Sequence, residues 1–225
     1  CVCYKTSSAG RPEANPAALL DQNRILSGNR RHMTSNSVSS ITVEELTEFR
    51  PGDLPDLCEA AEAAILDGGG FGWLTPPERD VFERFWRGVL VVPERHLFVG
   101  RADGVIAGSA QLIRAPRNNE AQAHVANLTA LFVAPWARSF GVARKIIEGI
   151  IDTALEHDLK TLNLDVRESQ TAAIRLYEGM GFRQWGNHPA YAHVNGRPVG
   201  GRFYYLDLTN PELIKGNKSS ADVSA

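Results

Sequence analysis

The stretch of sequence that decides the fold runs from residue 131 to residue 144 and reads LFVAPWARSFGVAR. Its first three residues end an apolar strand, and the chain then turns directly into the start of a helix. The first N–H groups of a helix have no partner within it and carry partial positive charge, so this junction suits a phosphate group. Gly141 and Ala143 would let a pyrophosphate approach the backbone, and Arg138 and Arg144 would add positive charge. Taken alone, the pattern also fits an ordinary helix start with glycine for close packing.

A second informative stretch covers residues 162–182 and reads LNLDVRESQTAAIRLYEGMGF. Leu162, Leu164 and Val166 alternate with polar residues, which is typical of a strand with one buried face. The residues from Gln170 to Gly179 have the apolar spacing of a helix. A strand followed by a short helix is therefore predicted shortly after the junction described above.

Together these two stretches resemble the GNAT superfamily of CoA-dependent N-acyltransferases. In that family the first stretch is the pyrophosphate loop, and the second is a strand followed by an Ala-x-x-Leu-Tyr-x-x-x-Gly-Phe helix. The resemblance covers residues 41–209. More narrowly, Leu164-Asp165 and three stretches near the end of the chain are similar to the tabtoxin-resistance type of acetyltransferase; they are residues 186–191, 195–197 and 203–205.

The predicted elements follow the order that the family implies. Seven strands are predicted at Ile41–Leu46, His96–Arg101, Val105–Arg114, His124–Val133, Thr161–Val166, Phe182–Gly186 and Arg202–Leu208. Four helices are predicted: one capped by Asp53, one with a capping box from Thr75 to Glu78 and Pro76 at its first position, one from Val142 to Leu155, and one from Gln170 to Gly179. The prediction is an α+β fold, a mixed and mostly antiparallel sheet of about seven strands with helices on both faces.

Composition sets the limits on organisation. The 225 residues carry 24 Lys and Arg against 26 Asp and Glu, so the net charge of -2 does not favour nucleic acid or an anionic membrane. We predict a disordered extension over residues 1–40, one acetyltransferase domain over 41–209 and a polar tail over 210–225. Without a run of about 20 apolar residues or a secretory leader, the chain is expected to be cytoplasmic. The family resemblance implies a monomer or a homodimer.

The resemblance gives Tyr177 the role of general acid, with its hydroxyl facing the sulfur of the departing thiol. The alternative is a core tyrosine whose ring is a packing anchor. Donors for the oxyanion would be backbone N–H groups near Leu131 to Val133, provided that the strand bulges and parts from its neighbour.

The general base is harder to assign. Many relatives have a glutamate six residues before the position of Val133, and here that residue is Asn127, which cannot take a proton at neutral pH. Asp165 is the first replacement, and His124 is the second because imidazole exchanges protons near neutral pH. Glu120 is a third candidate. A water relay or purely structural roles for Asp165 and His124 remain alternatives.

Acetyl-CoA is the implied co-substrate. Its predicted contacts are Leu131, Phe132, Val133, Arg138, Ser139, Phe140, Gly141, Val142, Ala143, Arg144, Gln170, Ala173 and Tyr177. Gln170 stands where the family usually has an asparagine that binds the CoA arm. The acceptor pocket is expected between the 68–74 loop and a Pro- and Gly-rich lid at 187–200, with contacts from Trp73, Asn127, His188 and Tyr191. No metal is expected, because the six histidines show no helical i, i+4 pair with an acidic neighbour.

The sequence thus predicts an N-acetyltransferase that moves an acetyl group from acetyl-CoA to a primary amine of a small molecule, by direct attack in a ternary complex. Two alternatives stay open. One is acetylation of a protein or peptide N-terminus, and the other is a non-catalytic acyl-CoA-binding sensor that has lost its base at Asn127.

Overall fold

The computed structural model describes residues 38–69 and 71–209. Its strands are β1 (Ile41–Leu46), β2 (Arg95–Ala102), β3 (Val105–Arg114), β4 (Val125–Val133), β5 (Thr161–Arg167), β6 (Arg183–Val194) and β7 (Arg197–Asp207). Its α-helices are α1 (Asp53–Leu66), α2 (Arg79–Leu90), α3 (Val142–Glu156) and α4 (Thr171–Gly179). The extension predicted over residues 1–40 lies outside the described residues up to position 37, and so does the tail predicted from 210 onward.

The seven strands form one sheet in the order β1-β2-β3-β4-β5-β7-β6. Neighbouring strands run antiparallel except for β4 and β5, which are parallel. The parallel pair exists because α3 carries the chain back across the sheet between these two strands. This is the predicted α+β fold, and the predicted order of elements is confirmed.

Helices cover both faces of the sheet, as predicted. Leu97 and Val99 of β2 belong to a cluster with α1 and α2. Phe98, between them in sequence, belongs to the cluster that contains side chains of α3 and α4. Alternate residues of a strand point to opposite faces, so the sheet has two apolar layers and its central strands are covered on both sides.

The start of α1 differs from the prediction. Gly52, with φ +95°, holds the cap position, and Asp53 is the first helical residue. The Asp53 carboxylate is buried and binds the Arg101 guanidinium at 2.8 Å, while its other oxygen accepts the Arg50 N–H at 3.1 Å. The carboxylate ties the helix to β2 because Arg101 needs a partner where it is buried.

The predicted capping box at the start of α2 is wrong. The helix begins at Arg79, after Glu78, and not at Pro76. Pro77 explains the difference, because a proline pushes the residue before it out of the helical region. Pro76 is therefore disfavoured in the first turn of a helix, and Glu78, with φ -54° and ψ 145°, is the last extended residue before α2.

The last two strands are longer than predicted. The segment at 187–200, expected as a lid, is a β-hairpin formed by the ends of β6 and β7. Its turn is Asn195-Gly196, with φ +52° and +75°. Two successive residues with positive φ match the twist of paired strands, so this turn extends the hairpin.

Among the helices of the described residues, none combines the length and the apolar character needed to cross a membrane.

Candidate active site

β4 and β5 pair at one end and part at the other. Their register joins Val125 to Thr161, Ala126 to Leu162 and Asn127 to Asn163, and does not continue toward the ends of the two strands. Beyond Asn127 the two strands leave a wedge in the middle of the sheet. The backbone of β4 that faces this wedge has no ladder partner on β5.

A bulge in β4 lies beside the wedge. Ser109 pairs with Phe132, but Gln111 pairs with Thr129, so β4 has one extra residue against β3. Ala130 has φ +54°, a conformation that costs an alanine about 1 kcal/mol or more. The bulge changes the direction of the backbone at Leu131, as the oxyanion prediction required.

The start of α3 has the geometry of an anion site. Gly141 holds the cap position with φ +81°, and a β-carbon built there would meet no atom within 4 Å. Ser139 also has positive φ, at +69°. The chain turns sharply at these two residues, and the first N–H groups of the 15-residue helix that follows have no partner within the helix.

Two cavities occupy the wedge. One of about 400 Å³ is lined by Asp67, Gly69, Leu131, Phe132, Val133, Ala137, Arg138, Ser139, Val142, Ala143, Gln170, Ala172, Ala173 and Leu176. The other, of about 530 Å³, is lined by Gly69, Phe71, Gly72, Leu74, Leu128, Thr129, Ala130, Leu131, Asp165, Val166, Arg167, Gln170, Ala173, Tyr177, Tyr191, Ala192, His193 and Val194. They share Gly69, Leu131, Gln170 and Ala173, so we treat them as two ends of one cleft. We call the first the α3 cavity and the second the β5 cavity.

Three polar groups meet in the β5 cavity. The Tyr191 hydroxyl donates a hydrogen bond to Asp165, which stands on the cleft side of β5. Burial raises the pKa of Tyr177 well above its usual range near 10, and the negative charge of Asp165 raises it further. Burial and the Asp165 carboxylate raise the pKa of Tyr191 in the same direction. Both phenols therefore stay protonated at neutral pH, and both can act as donors.

A second bulge brings Tyr191 into the cleft. His188 pairs with Gly201 and Ala192 pairs with Val199, so three residues of β6 stand against one residue of β7. The Tyr191 ring lies directly on Gly201, where a β-carbon would overlap it. The ring also packs edge-on against Phe203, at 5.9 Å between centroids. Glycine at 201 is thus needed for the ring to reach Asp165.

The residues after α1 close one side of the cleft. The Gly68 carbonyl accepts hydrogen bonds from the Gln170 amide at 2.9 Å and from the Arg167 guanidinium at 3.2 Å. Asp67 forms an ion pair with Arg138. Gln170 and Arg138 were predicted to contact the co-substrate, and here each of them also fastens residues 67–68 across the wedge.

The structure assembles most of the predicted co-substrate residues around the α3 cavity. Tyr177 lines the β5 cavity instead, and three other predicted residues, Phe140, Gly141 and Arg144, line neither cavity. Gly141 nevertheless sets the start of α3.

Several predicted side chains lie elsewhere. His124 is exposed and precedes β4, about 23 Å of strand before Leu131. Trp73 packs against Phe82 and Phe85 on α2, because a large apolar ring gains more from that layer than from the cleft.

Three more predicted site residues, Asn127, His188 and Glu120, do not line the cleft. Asn127 stands at the closed end of the wedge and is exposed. His188 is exposed on β6 and accepts the Ala190 N–H. Glu120 lies in a 3-10 turn before β4.

Sequence reasoning missed Arg167 as a residue of the cleft, whereas Gly69 belongs to the 68–74 loop that was expected beside the acceptor pocket. Arg167 could have been found, because it is two residues beyond Asp165 in an alternating strand and so faces the same side. Within the two described ranges, no group of three or more His, Cys, Asp or Glu side chains is arranged to hold a metal ion.

Comparison with known proteins identifies the class. Residues 56–182 match the family model described as Acetyltransferase (GNAT) family. The chain belongs to this family, since the match covers more than half of it.

Individual relatives agree with the family assignment. An uncharacterised N-acetyltransferase of Azospirillum brasilense, from the hisH-hisA intergenic region, is 58% identical over 133 residues, which are 59% of this chain and 79% of the relative. An N-acetyltransferase of Staphylococcus aureus Mu50 matches at 20% identity and a TM-score of 0.65, over 76% of this chain and all of that structure. A putative acetyltransferase of Salmonella typhimurium, solved with its cofactor acetyl-CoA, matches at 19% identity and a TM-score of 0.63. The match covers 76% of this chain and 96% of that structure. At about 20% identity, the two solved structures show that the fold is shared, and they show nothing about substrates.

Proposed function

We propose that this acetyltransferase moves an acetyl group from acetyl-CoA to the amine of a small molecule, with both substrates bound at once. The observation that carries the proposal is the wedge between β4 and β5, at which the α3 cavity and the β5 cavity meet. One cavity has an anion site and the other has a carboxylate, so the two ends suit two different ligands. The domain that does this work is proposed to span residues 41–209.

The α3 cavity fits the diphosphate end of acetyl-CoA. The open space above Gly141 and the unpaired N–H groups of α3 suit a pyrophosphate, and Ser139 and Arg138 line the same cavity. The unpaired edge of β4 from Leu131 to Val133 offers peptide groups to the amide-bearing arm of the molecule. When bound, acetyl-CoA supplies an activated acyl group with a thiol as leaving group.

Asp165 is the proposed base. Its carboxylate lines the β5 cavity, and the Tyr191 hydroxyl fixes its position. Asp165 takes a proton from the ammonium form of the acceptor, which frees the nitrogen lone pair for attack on the acyl carbon. We do not propose His124 as the base, because it is exposed and lines neither cavity.

The bulge in β4 supplies the proposed oxyanion donors. Ala130 and Leu131 line the β5 cavity, and the bulge turns the backbone there away from β3. N–H groups fixed in this way stabilise negative charge on the acyl oxygen without reorganising during the reaction.

Tyr177 is the proposed donor to the departing sulfur. Its raised pKa makes full proton transfer to an ordinary thiolate unfavourable, since a free thiol titrates near 8.5. The same burial disfavours a bare thiolate in the cleft, so the hydroxyl stabilises the sulfur by donating a hydrogen bond as the carbon–sulfur bond breaks. The departing thiolate takes its proton from solvent, and the second proton that the acceptor nitrogen loses on forming the amide is released to solvent.

The test is to incubate the full chain with acetyl-CoA and panels of small amines and peptides, while recording release of CoA thiol and the mass gain of one acetyl group on the acceptor. The proposal predicts transfer to small amines, with double-reciprocal plots that intersect. Transfer to peptides alone would establish the alternative of N-terminal acetylation. Saturable binding of acetyl-CoA without transfer to any amine would favour the sensor.

A further inference from the structure

The β5 cavity carries two opposite charges side by side. Asp165 and Arg167 both line it, and in the part of the chain that the structure describes they are its only Asp, Glu, Lys or Arg residues. They are two positions apart on β5 and flank the buried residue Val166, so they leave the same face of the strand. Beyond Asn127 this part of β5 is not paired with β4, and the face opens into the cleft.

The two charged groups are held around Tyr191. Its hydroxyl donates to Asp165, and the positive charge of Arg167 acts on the same hydroxyl, lowering its pKa against the larger effects of burial and Asp165. The Arg167 guanidinium also donates to the Gly68 carbonyl at 3.2 Å, which keeps it at the loop that closes the cleft. The cavity thus has a fixed negative side and a fixed positive side.

We infer that the acceptor is an amine with its own anionic group a few bonds from the nitrogen, as in a free amino acid. This inference rests on the proposed function. The ammonium group would bind Asp165 and the anionic group would bind Arg167. Residues two apart on a strand are separated by about 7 Å, which a short amino carboxylate spans with one hydrogen bond at each end.

The same pair of charges acts against other amines. A polyamine or an aminoglycoside would bring a second cation to Arg167, and like charges at a partly buried site are costly. A peptide N-terminus has an amide in place of the nearby carboxylate, so it would desolvate Arg167 without offering it a negative charge. Phe71 and Tyr191 line the same cavity, so the side chain of the acceptor would have aromatic neighbours there.

The experiment compares free amino acids with their own carboxamides as acceptors, at saturating acetyl-CoA, and includes spermidine. We expect the best amino acid to exceed its amide in kcat/KM by about tenfold to a hundredfold, the range that one charged hydrogen bond provides. Arg167→Gln should bring the ratio of kcat/KM for the acid to kcat/KM for the amide down to about one, because the acid loses its charged partner and the amide does not. Arg197→Gln, on the exposed hairpin, removes the same charge outside the cavity and should keep the preference.

The outcomes separate this inference from the proposed function. Wild-type transfer to amides or spermidine as efficient as to acids would overturn the inference and leave the proposed function standing. Equal losses for acid and amide in Arg167→Gln would also overturn it, since Arg167 would then act only by holding Gly68. Binding of acetyl-CoA without transfer to any amine would overturn both.

Discussion

β4 and β5 border the same wedge, but they present different chemical groups to it. β4 has no charged residue from Val125 to Val133, and its contribution is the backbone that the Ala130 bulge redirects. β5 is buried through Leu164 and Val166, and its contribution is the pair of charged side chains between and beyond them. The comparison teaches that the co-substrate end depends on backbone geometry, whereas the acceptor end depends on side-chain identity.

The largest effect should come from breaking the backbone geometry. Gly141→Trp forces an L residue into φ +81° and fills the open space above α3. Loss of two charge-assisted N–H contacts to the pyrophosphate would raise the Kd for acetyl-CoA about a thousandfold. Titration calorimetry measures this Kd directly. Gly104→Trp is the matched control, because Gly104 has φ +87° and open space but lies in the β2–β3 turn. Equal weakening by both substitutions would refute the anion site.

Tyr177→Phe tests the contribution of a side-chain hydroxyl, for comparison with the contribution of the backbone at the start of α3. We expect kcat to fall about tenfold to a hundredfold, the range that one hydrogen bond to a charged sulfur provides, with the Kd for acetyl-CoA nearly unchanged. Tyr204→Phe removes another buried hydroxyl, one bonded to Glu178, and should reduce stability without a comparable loss of kcat. Full activity in Tyr177→Phe would make Tyr177 a packing residue.

The raised pKa of Tyr177 has a consequence for the pH profile. Its hydroxyl is the acid form, and burial moves its ionisation above the ordinary value near 10. We therefore expect no decline of kcat from this group as pH rises to about 10, in rates measured at saturating substrates. A decline with a midpoint near 9 that disappears in Tyr177→Phe would contradict the buried, protonated phenol.

Asp165→Asn should have a smaller effect that depends on pH. At neutral pH an amine acceptor is mostly ammonium, and loss of the proton acceptor should lower kcat/KM about thirtyfold. The deficit should shrink as pH rises toward the pKa of the acceptor, because the free amine then needs no base. Tyr191→Phe keeps the carboxylate and should show a weaker, less pH-dependent loss. A constant deficit at all pH values would assign Asp165 a binding role only.

The smallest effect concerns Asp67, whose ion pair holds Arg138 at the edge of the α3 cavity. Asp67→Asn frees the guanidinium for the pyrophosphate and should tighten acetyl-CoA binding about threefold, as suits a half-exposed pair. Asp80→Asn, which removes an acid from an exposed pair with Arg84 on α2, should leave the Kd unchanged. Weaker binding in Asp67→Asn would show that the pair supports the site.

Most of the fold could be predicted from the sequence because its elements carry strong local patterns. The apolar stripe of α3 and the Asp103-Gly104 turn between β2 and β3 are two examples. The hairpin at 187–200 was missed although Asn195-Gly196 is a strong turn signal, since the glycines and the proline around it suggested a loop.

The candidate site was less accessible to sequence reasoning. Alternation placed Asp165 on the open face of its strand, and the family resemblance supplied Tyr177. No local pattern predicts that three residues of β6 stand against one residue of β7, which is what brings Tyr191 to Asp165. His124 and Trp73 were predicted from their chemistry, but which cavity a side chain reaches depends on contacts far apart in sequence.

A crystal structure of the complex with CoA would test the central claim most directly. The account predicts the pyrophosphate at the backbone N–H groups of residues 139–143, the arm of the molecule along the free edge of β4, and the sulfur near Tyr177, with Asp165 and Arg167 left for the acceptor. A pyrophosphate held by the β5 side chains, or a CoA molecule outside the wedge, would contradict it.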